Sequence, residues 1–481
     1  MITGYSSSNA YTFTVPGDEY TTSLQIESHT STVNGVATTY VYSYDGTGNI
    51  VGITVNGTEI RYAYDDIGQL AREDNGLVGK TYLYTYDNAG NITSVKEYPL
   101  TAEGATPSGM LAQKAYGYTD STWGDKLTNF GGNAITYDGM GNPLSYYNGA
   151  TFGWFGRQLV GANYNGKTMS FTYNDEGIRT SKTVNGVTTT YYLERSRIIA
   201  EETAGNVTVY FYDTAGSVLG MRYLPSGSSA WQIYWFEHNL QGDVVAVYDA
   251  SGTKLVSYTY DAWGNTVTTQ HASSIPTPVQ NNPYRYRGYY FDKDLNLYYL
   301  NARYYDQGTG RFISADEVGI IAATPTGLTD KNLYAYCDNN PVARVDGDGE
   351  FWETVFDVIS LGVSIAEVCI NPTDPWAWAG LAGDVVDLIP FVSGVGEATD
   401  LIRVATKADD IVDAIDDVHD TAKAIDRIGD GFDTSGDFAR KVDYYITPGG
   451  DAIPSSRKAF DENLSKLTNN NGKYYKNNNV S

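Results

Sequence analysis

The stretch PYRYRGYYFDKDLNLYYLNARYYDQGTGRFISAD, residues 283–316, decides how the rest of the chain is read. Aromatic residues alternate in it with arginines, and Gly288, Gly308 and Gly310 punctuate it. Alternation at period two is the pattern of strands whose two faces meet different surroundings. It predicts three short strands joined by tight turns, with aromatic side chains on one face and arginine on the other. Before this stretch lies a tyrosine-rich array, and after it the composition changes.

The array, residues 1–282, repeats a unit of the form aromatic-x-Tyr-Asp-x-x-Gly-Asn, and self-similarity of this kind precedes any other reading. Clear copies start at Tyr42, Tyr62, Tyr84 and Tyr258, with degenerate ones at Tyr137-Asp138, Tyr173-Asn174 and Tyr212-Asp213. The Tyr-x-Tyr part is extended. Asp opens a turn by bonding its own backbone, and Gly closes it with a positive φ. Each unit is a hairpin with a face it cannot bury alone, so units must stack. One carboxylate per unit is too few for a calcium cage of oxygens, which leaves the Asp residues a turn role.

The 481 residues include 42 Tyr and 51 Gly, a composition that favours strands and turns. The formal net charge of −25 argues against a general nucleic-acid or anionic-membrane surface. Cys337 and Cys369 form neither a disulfide framework nor a zinc pattern. The four histidines, His29, His238, His271 and His419, are scattered, which argues against a His metal site or a Ser-His triad. The start, Met1-Ile2-Thr3-Gly4-Tyr5, has neither the basic region nor the apolar run of a secretory signal, and the chain reads as the C-terminal portion of a longer array.

The motifs YRYRGYYFD, LYYLNARYYD and GRFISAD, in order and closely spaced, resemble the Rhs repeat-associated core of the Rhs/YD-repeat proteins, and the upstream unit resembles the YD repeat. The resemblance implies a mainly β fold in which the repeat sheet spirals into a hollow shell, capped by the core over 283–350. NLYAYCDNNPVARVDGDG, residues 332–349, resembles the family's junction, where many members cut themselves in the manner of an aspartyl protease. One carboxylate activates water and the other protonates the leaving group. The matching positions are Asp316 and Asp346, with Arg311 as the expected partner of one carboxylate. Glu317 and Gly347 replace the prolines of the family's two DPxG motifs, and Glu350 replaces an apolar residue. The expected cut follows Gly349 or Glu350. The alternative for both acids is a turn role in the shell wall. No cofactor or metal is implied.

Tyrosine is absent between Tyr336 and Tyr444, and residues 351–440 carry five basic against eighteen acidic side chains, a net of −13. Phe351–Ile370 reads as a buried helix rather than a membrane span, because Glu353, Asp357 and Glu367 interrupt it. Asp374-Pro375 opens a second helix, and the steps from Val404 to Ile425 form a heptad-like stripe. The block resembles the helical pre-toxin segment of polymorphic toxins, as an adaptor for export or as a spacer. In the tail, 441–481, Tyr444–Pro454 reads as strand, turn, strand. A short asparagine-rich remainder is too small for a catalytic core and reads as a truncated, remodelled or very small toxin.

Two functions of different class follow. The first is a shell that encloses and delivers its own C-terminal effector, secreted or displayed by a Gram-positive bacterium and matched by an immunity protein. The second is a surface adhesion protein whose tyrosine faces bind a glycan.

Overall fold

In the computed structural model, the described residues are 6–11, 25–213, 216–316, 332–347, 349, 352–354, 444–446 and 452–454. The chain divides into two compact units, one of Met1–Val363 with Val386–Thr399 and one of Ser364–Val385 with Asp400–Ser481. In the second, Tyr444–Ile446 pairs antiparallel with Ala452–Pro454, as the strand-turn-strand pattern predicts. The other helical and tail expectations lie outside the described residues.

The first unit is mainly β. An eleven-stranded sheet runs in chain order from Ser6–Tyr11 to Asn133–Ala134, and a fourteen-stranded sheet runs from Thr136–Tyr137 to Thr266–Gln270. Within each sheet every strand pairs antiparallel with the next, so the array is two successive meanders of hairpins. The repeat turn folds as its residues dictate. In the first copy, Asp45 Oδ1 accepts the backbone N–H of Thr47 and of Asn49, both at 2.9 Å, and Gly48 closes the turn at φ 89°. The same bonds recur at Asp65, Asp87, Asp138 and Asp261, and the degenerate copy at Asn174 keeps the longer one.

The tyrosine before each Asp has a second task. Tyr64 donates its hydroxyl to Ile50 O at 2.6 Å, Tyr86 to Leu70 O at 2.6 Å, Tyr173 to Leu159 O at 2.8 Å and Tyr260 to Val244 O at 2.6 Å. Each acceptor is the first or second residue of its strand, and its side chain is fully buried. The hydroxyl therefore ties one repeat to another while the ring packs inward.

The ribbon curls back on itself. Ser31 donates to Glu237, Asn34 Nδ2 reaches the carbonyls of Ser251 and Gly252 at 3.1 Å each, and Val33 packs with Ala246 and Tyr248. Residues about two hundred apart in sequence thus meet along a seam, which the accumulated right-handed twist of successive strands permits.

The stretch 283–316 differs from its expectation in two respects. It forms four strands, Tyr290–Asp292, Leu297–Leu300, Arg303–Asp306 and Arg311–Phe312, while Tyr286–Gly288 is a 3-10 turn. Aromatics also line both faces. Register puts Phe291, Tyr298, Tyr305 and Phe312 on one face and Tyr290, Tyr299 and Tyr304 on the other. The first face packs with Tyr84, Trp263 and Tyr336, the second with Phe171 and Leu159. The reason is placement. The small sheet packs against both repeat sheets, so neither of its faces meets water. The arginines sit among the rings instead. Downstream, Trp352–Thr354 is a strand paired with Arg344–Asp346, where the sequence predicts a helix from Phe351.

Candidate active site at the junction

Phe312 and Asp316 hold the returning chain by backbone bonds, Phe312 N to Tyr334 O at 3.0 Å and Asp316 N to Leu333 O at 2.8 Å. The hairpin of Arg344–Asp346 with Trp352–Thr354 then places Gly349 in its connection. Gly349 is wedged at φ 83°. A Cβ there would sit 2.6 Å from Leu300 O and 3.1 Å from Arg303 N, so only glycine fits.

These elements bring Asp316 and Asp346 together around one guanidinium, that of Arg303. Arg303 Nη2 lies 3.0 Å from Asp316 Oδ2 and 3.4 Å from Asp346 Oδ2. Its Nε donates to Gly349 O and its Nη1 to Leu333 O at 3.2 Å. Asp346 Oδ1 accepts the N–H of Gly349 at 2.7 Å, and Asp346 N donates to Tyr289 Oη at 3.0 Å. Asp316, Asp346 and Arg303 are all buried, with Arg303 stacked on the Phe312 ring at 3.6 Å. Two carboxylates, one shared cation and a backbone carbonyl held by that cation are the parts needed to polarise a peptide bond and to move protons across it.

Arg311 stands elsewhere. It donates to Asn91 Oδ1 at 3.1 Å, Tyr118 Oη at 3.1 Å, Asp125 O at 2.8 Å and Asn332 Oδ1 at 3.2 Å. The arginine between the acids is Arg303, in NARYYD. The register of the third core strand decides this, because it pairs Arg303 with Leu300 and puts its side chain on the Phe312 face. Spacing in the sequence carried no such signal.

A family model, the Teneurin YD-shell, matches residues 17–342. The chain belongs to that family. Among curated proteins this YD-shell chain is 34% identical over 267 residues to the tRNA3(Ser)-specific nuclease WapA of Bacillus spizizenii, covering 54% of this chain and 11% of that protein. It is 25% identical over 339 residues to the double-stranded DNA deaminase toxin A of Burkholderia cenocepacia, covering 63% of this chain and 22% of that one. Among solved structures, the TcdB2-TccC3-Cdc42 crystal structure superposes with a TM-score of 0.55 at 18% identity, over 73% of this chain and 18% of the other. The YD-shell chain thus spans about a tenth to a fifth of the length of these relatives.

Proposed function

We propose that this YD-shell chain is the C-terminal part of a toxin whose shell encloses and delivers the effector that follows the junction, and that the chain hydrolyses itself at the Gly349–Glu350 bond. The observation that carries the second statement is the single guanidinium that touches Asp316, Asp346 and the carbonyl of Gly349. Arg303 polarises that carbonyl and stabilises the oxyanion as water adds to it. One carboxylate takes the proton of the attacking water. The other, protonated, gives its proton to the amide nitrogen of Glu350 as the C–N bond breaks. The products are a carboxylate at Gly349 and an amine at Glu350.

The delivery reading is supported by the YD-shell match over residues 17–342 and by relatives named as a nuclease and a deaminase toxin, each matched over part of this chain. It implies an export route, a surface or secreted location and an immunity protein. Denaturing electrophoresis with mass determination tests the cut. The expected result is a wild-type chain split after Gly349 and intact chains for Asp316→Asn, Asp346→Asn and Arg303→Ala. An uncut wild type rejects self-hydrolysis. Expression of residues 350–481 alone tests the effector, with growth arrest as the expected result.

A further inference from the structure

The junction segment 332–340 makes no regular ladder. It has one isolated bridge, Arg311 with Ala335, and a 3-10 turn in which Cys337, Asp338 and Asn339 all hold a positive φ, 50°, 49° and 62°. Three successive non-glycine residues in that region are costly and persist only where their surroundings impose them. Side-chain amides do so here. Asn340 Nδ2 donates to Asn49 Oδ1 at 2.8 Å, Asn339 Nδ2 to Gln69 Oε1 at 2.8 Å, and Asn332 Nδ2 to Asn91 Oδ1 at 2.8 Å. The three acceptors are the last residues of three successive repeat turns. Each spends its amide nitrogen on the Asp of its own turn: Asn49 on Asp45 at 3.0 Å, Gln69 on Asp65 at 2.9 Å and Asn91 on Asp87 at 3.1 Å. Only the amide oxygen remains, and it accepts from the junction. The Asn339–Gln69 and Asn332–Asn91 bonds are buried, and the Asn340–Asn49 bond is half-buried, so the first two are shielded from competition by water.

The third of these contacts leads to the acids. Asn91 Oδ1 also accepts from Arg311, which donates to Asn332 Oδ1. Leu333 O, the next residue along, accepts from both Asp316 N and Arg303 Nη1. A turn 220 residues before Arg311 therefore shares bonds with the peptide that fixes Arg303.

We propose that the turn amides Gln69 and Asn91 are positioning residues for the junction, so that it reaches its working geometry only after these repeats have folded. This rests on the self-hydrolysis reading. Its consequence is order: the cargo is cut free only once that wall of the shell exists.

The test uses the full chain, with two readouts: the rate of cutting in a pulse-chase of newly made protein, and amide hydrogen exchange across 332–346. Asn339→Ala acts from the junction side and leaves the Asp65 turn intact. Gln69→Leu acts from the turn side. Gln69→Asn restores the amide that the neighbouring turns carry. Each of the first two is expected to slow cutting roughly tenfold and to speed exchange at the junction. The double variant is expected to be slowed by less than the product of the two singles, because both lose the Asn339–Gln69 bond, while Asn339 separately bonds Gly90 O and Gln69 separately bonds Asp65. Gln69→Asn is expected to recover most of the rate, and exchange in the 151–212 hairpins is expected to stay unchanged. Multiplied effects in the double variant, or unaltered junction exchange in both singles, overturn the proposal. If the wild type is never cut, self-hydrolysis fails by itself and exchange alone decides: faster junction exchange in both singles supports positioning, and unchanged exchange rejects it.

Discussion

Arg179 carries its charge with no exposure to water at all. Asp292 pairs with it at 2.9 Å, Lys182 pairs with the same carboxylate at 2.9 Å, and the guanidinium lies 4.3 Å from the Tyr299 ring centroid. Burial alone would raise the Asp292 carboxyl, but Lys182 and Arg179 outweigh it and hold the group at about 2. A depressed carboxylate stabilises the fold above its unfolded value, and that stability is lost as pH falls through the folded one. Asp292→Asn strands a buried cation between the second repeat sheet and the core, so a loss of about 3–5 kcal/mol is expected in denaturant unfolding. Glu73 has the opposite sign. Burial first, and the charge of Asp261 second, push it up to about 8. It accepts from Ala262 N, Asn75 Nδ2 and Tyr84 Oη, which joins the two repeat sheets. The protonated fold is therefore favoured, and stability is expected to decline as pH rises from the ordinary glutamate value towards 8, measured by melting at several pH values.

At the scale of the element, the repeat is legible and its tie is not. The Tyr-Asp-x-x-Gly spelling predicts the turn, because an Asx bond and a positive φ are local requirements. The destination of the tyrosine hydroxyl is set by how far one hairpin slides over another, which no local rule supplies. Tyr86→Phe keeps the ring and removes the bond to Leu70 O. A loss of about 1 kcal/mol is expected on unfolding, since a buried acceptor goes unsatisfied. The junction hairpin carries a sharper prediction. Gly349→Ala drives a Cβ into Leu300 O and Arg303 N, so the carbonyl leaves Arg303 and the cut is expected to vanish while the repeat sheets still melt as before.

Across the whole first unit, the seam joins hairpins some two hundred residues apart, and two of the four histidines lie on it. His238 is only partly buried as a residue, but its Nε2 is enclosed and has no hydrogen-bond partner among the described residues. Burial lowers its pKa to about 4, against the raising charge of Glu237, and His29 adds to the lowering. Glu237 is already engaged by Ser31, Tyr248 and Lys254, and His29 by Asn9. A histidine held neutral stabilises the fold at pH above its ordinary value, and that stability is lost as pH falls from about 6.5 to 4. Faster hydrogen exchange of Ile26–Val33 and Gln232–His238 at pH 5 than at pH 7.5, corrected for intrinsic rates and absent in His238→Phe, is the expected result.

The sequence by itself determined what local chemistry controls: a β array of stacked hairpins, the turn at each Asp, and the change of pattern where the array gives way to the stretch of alternating aromatics and arginines. Those depend on residues within a few positions of one another. Tertiary structure alone decided which arginine serves the acids, why the core is aromatic on both faces, and that the junction asparagines seat on turns made more than two hundred residues earlier. Each of these depends on which surfaces come together when the ribbon curls, and a curl is the sum of many small twists that no single repeat encodes.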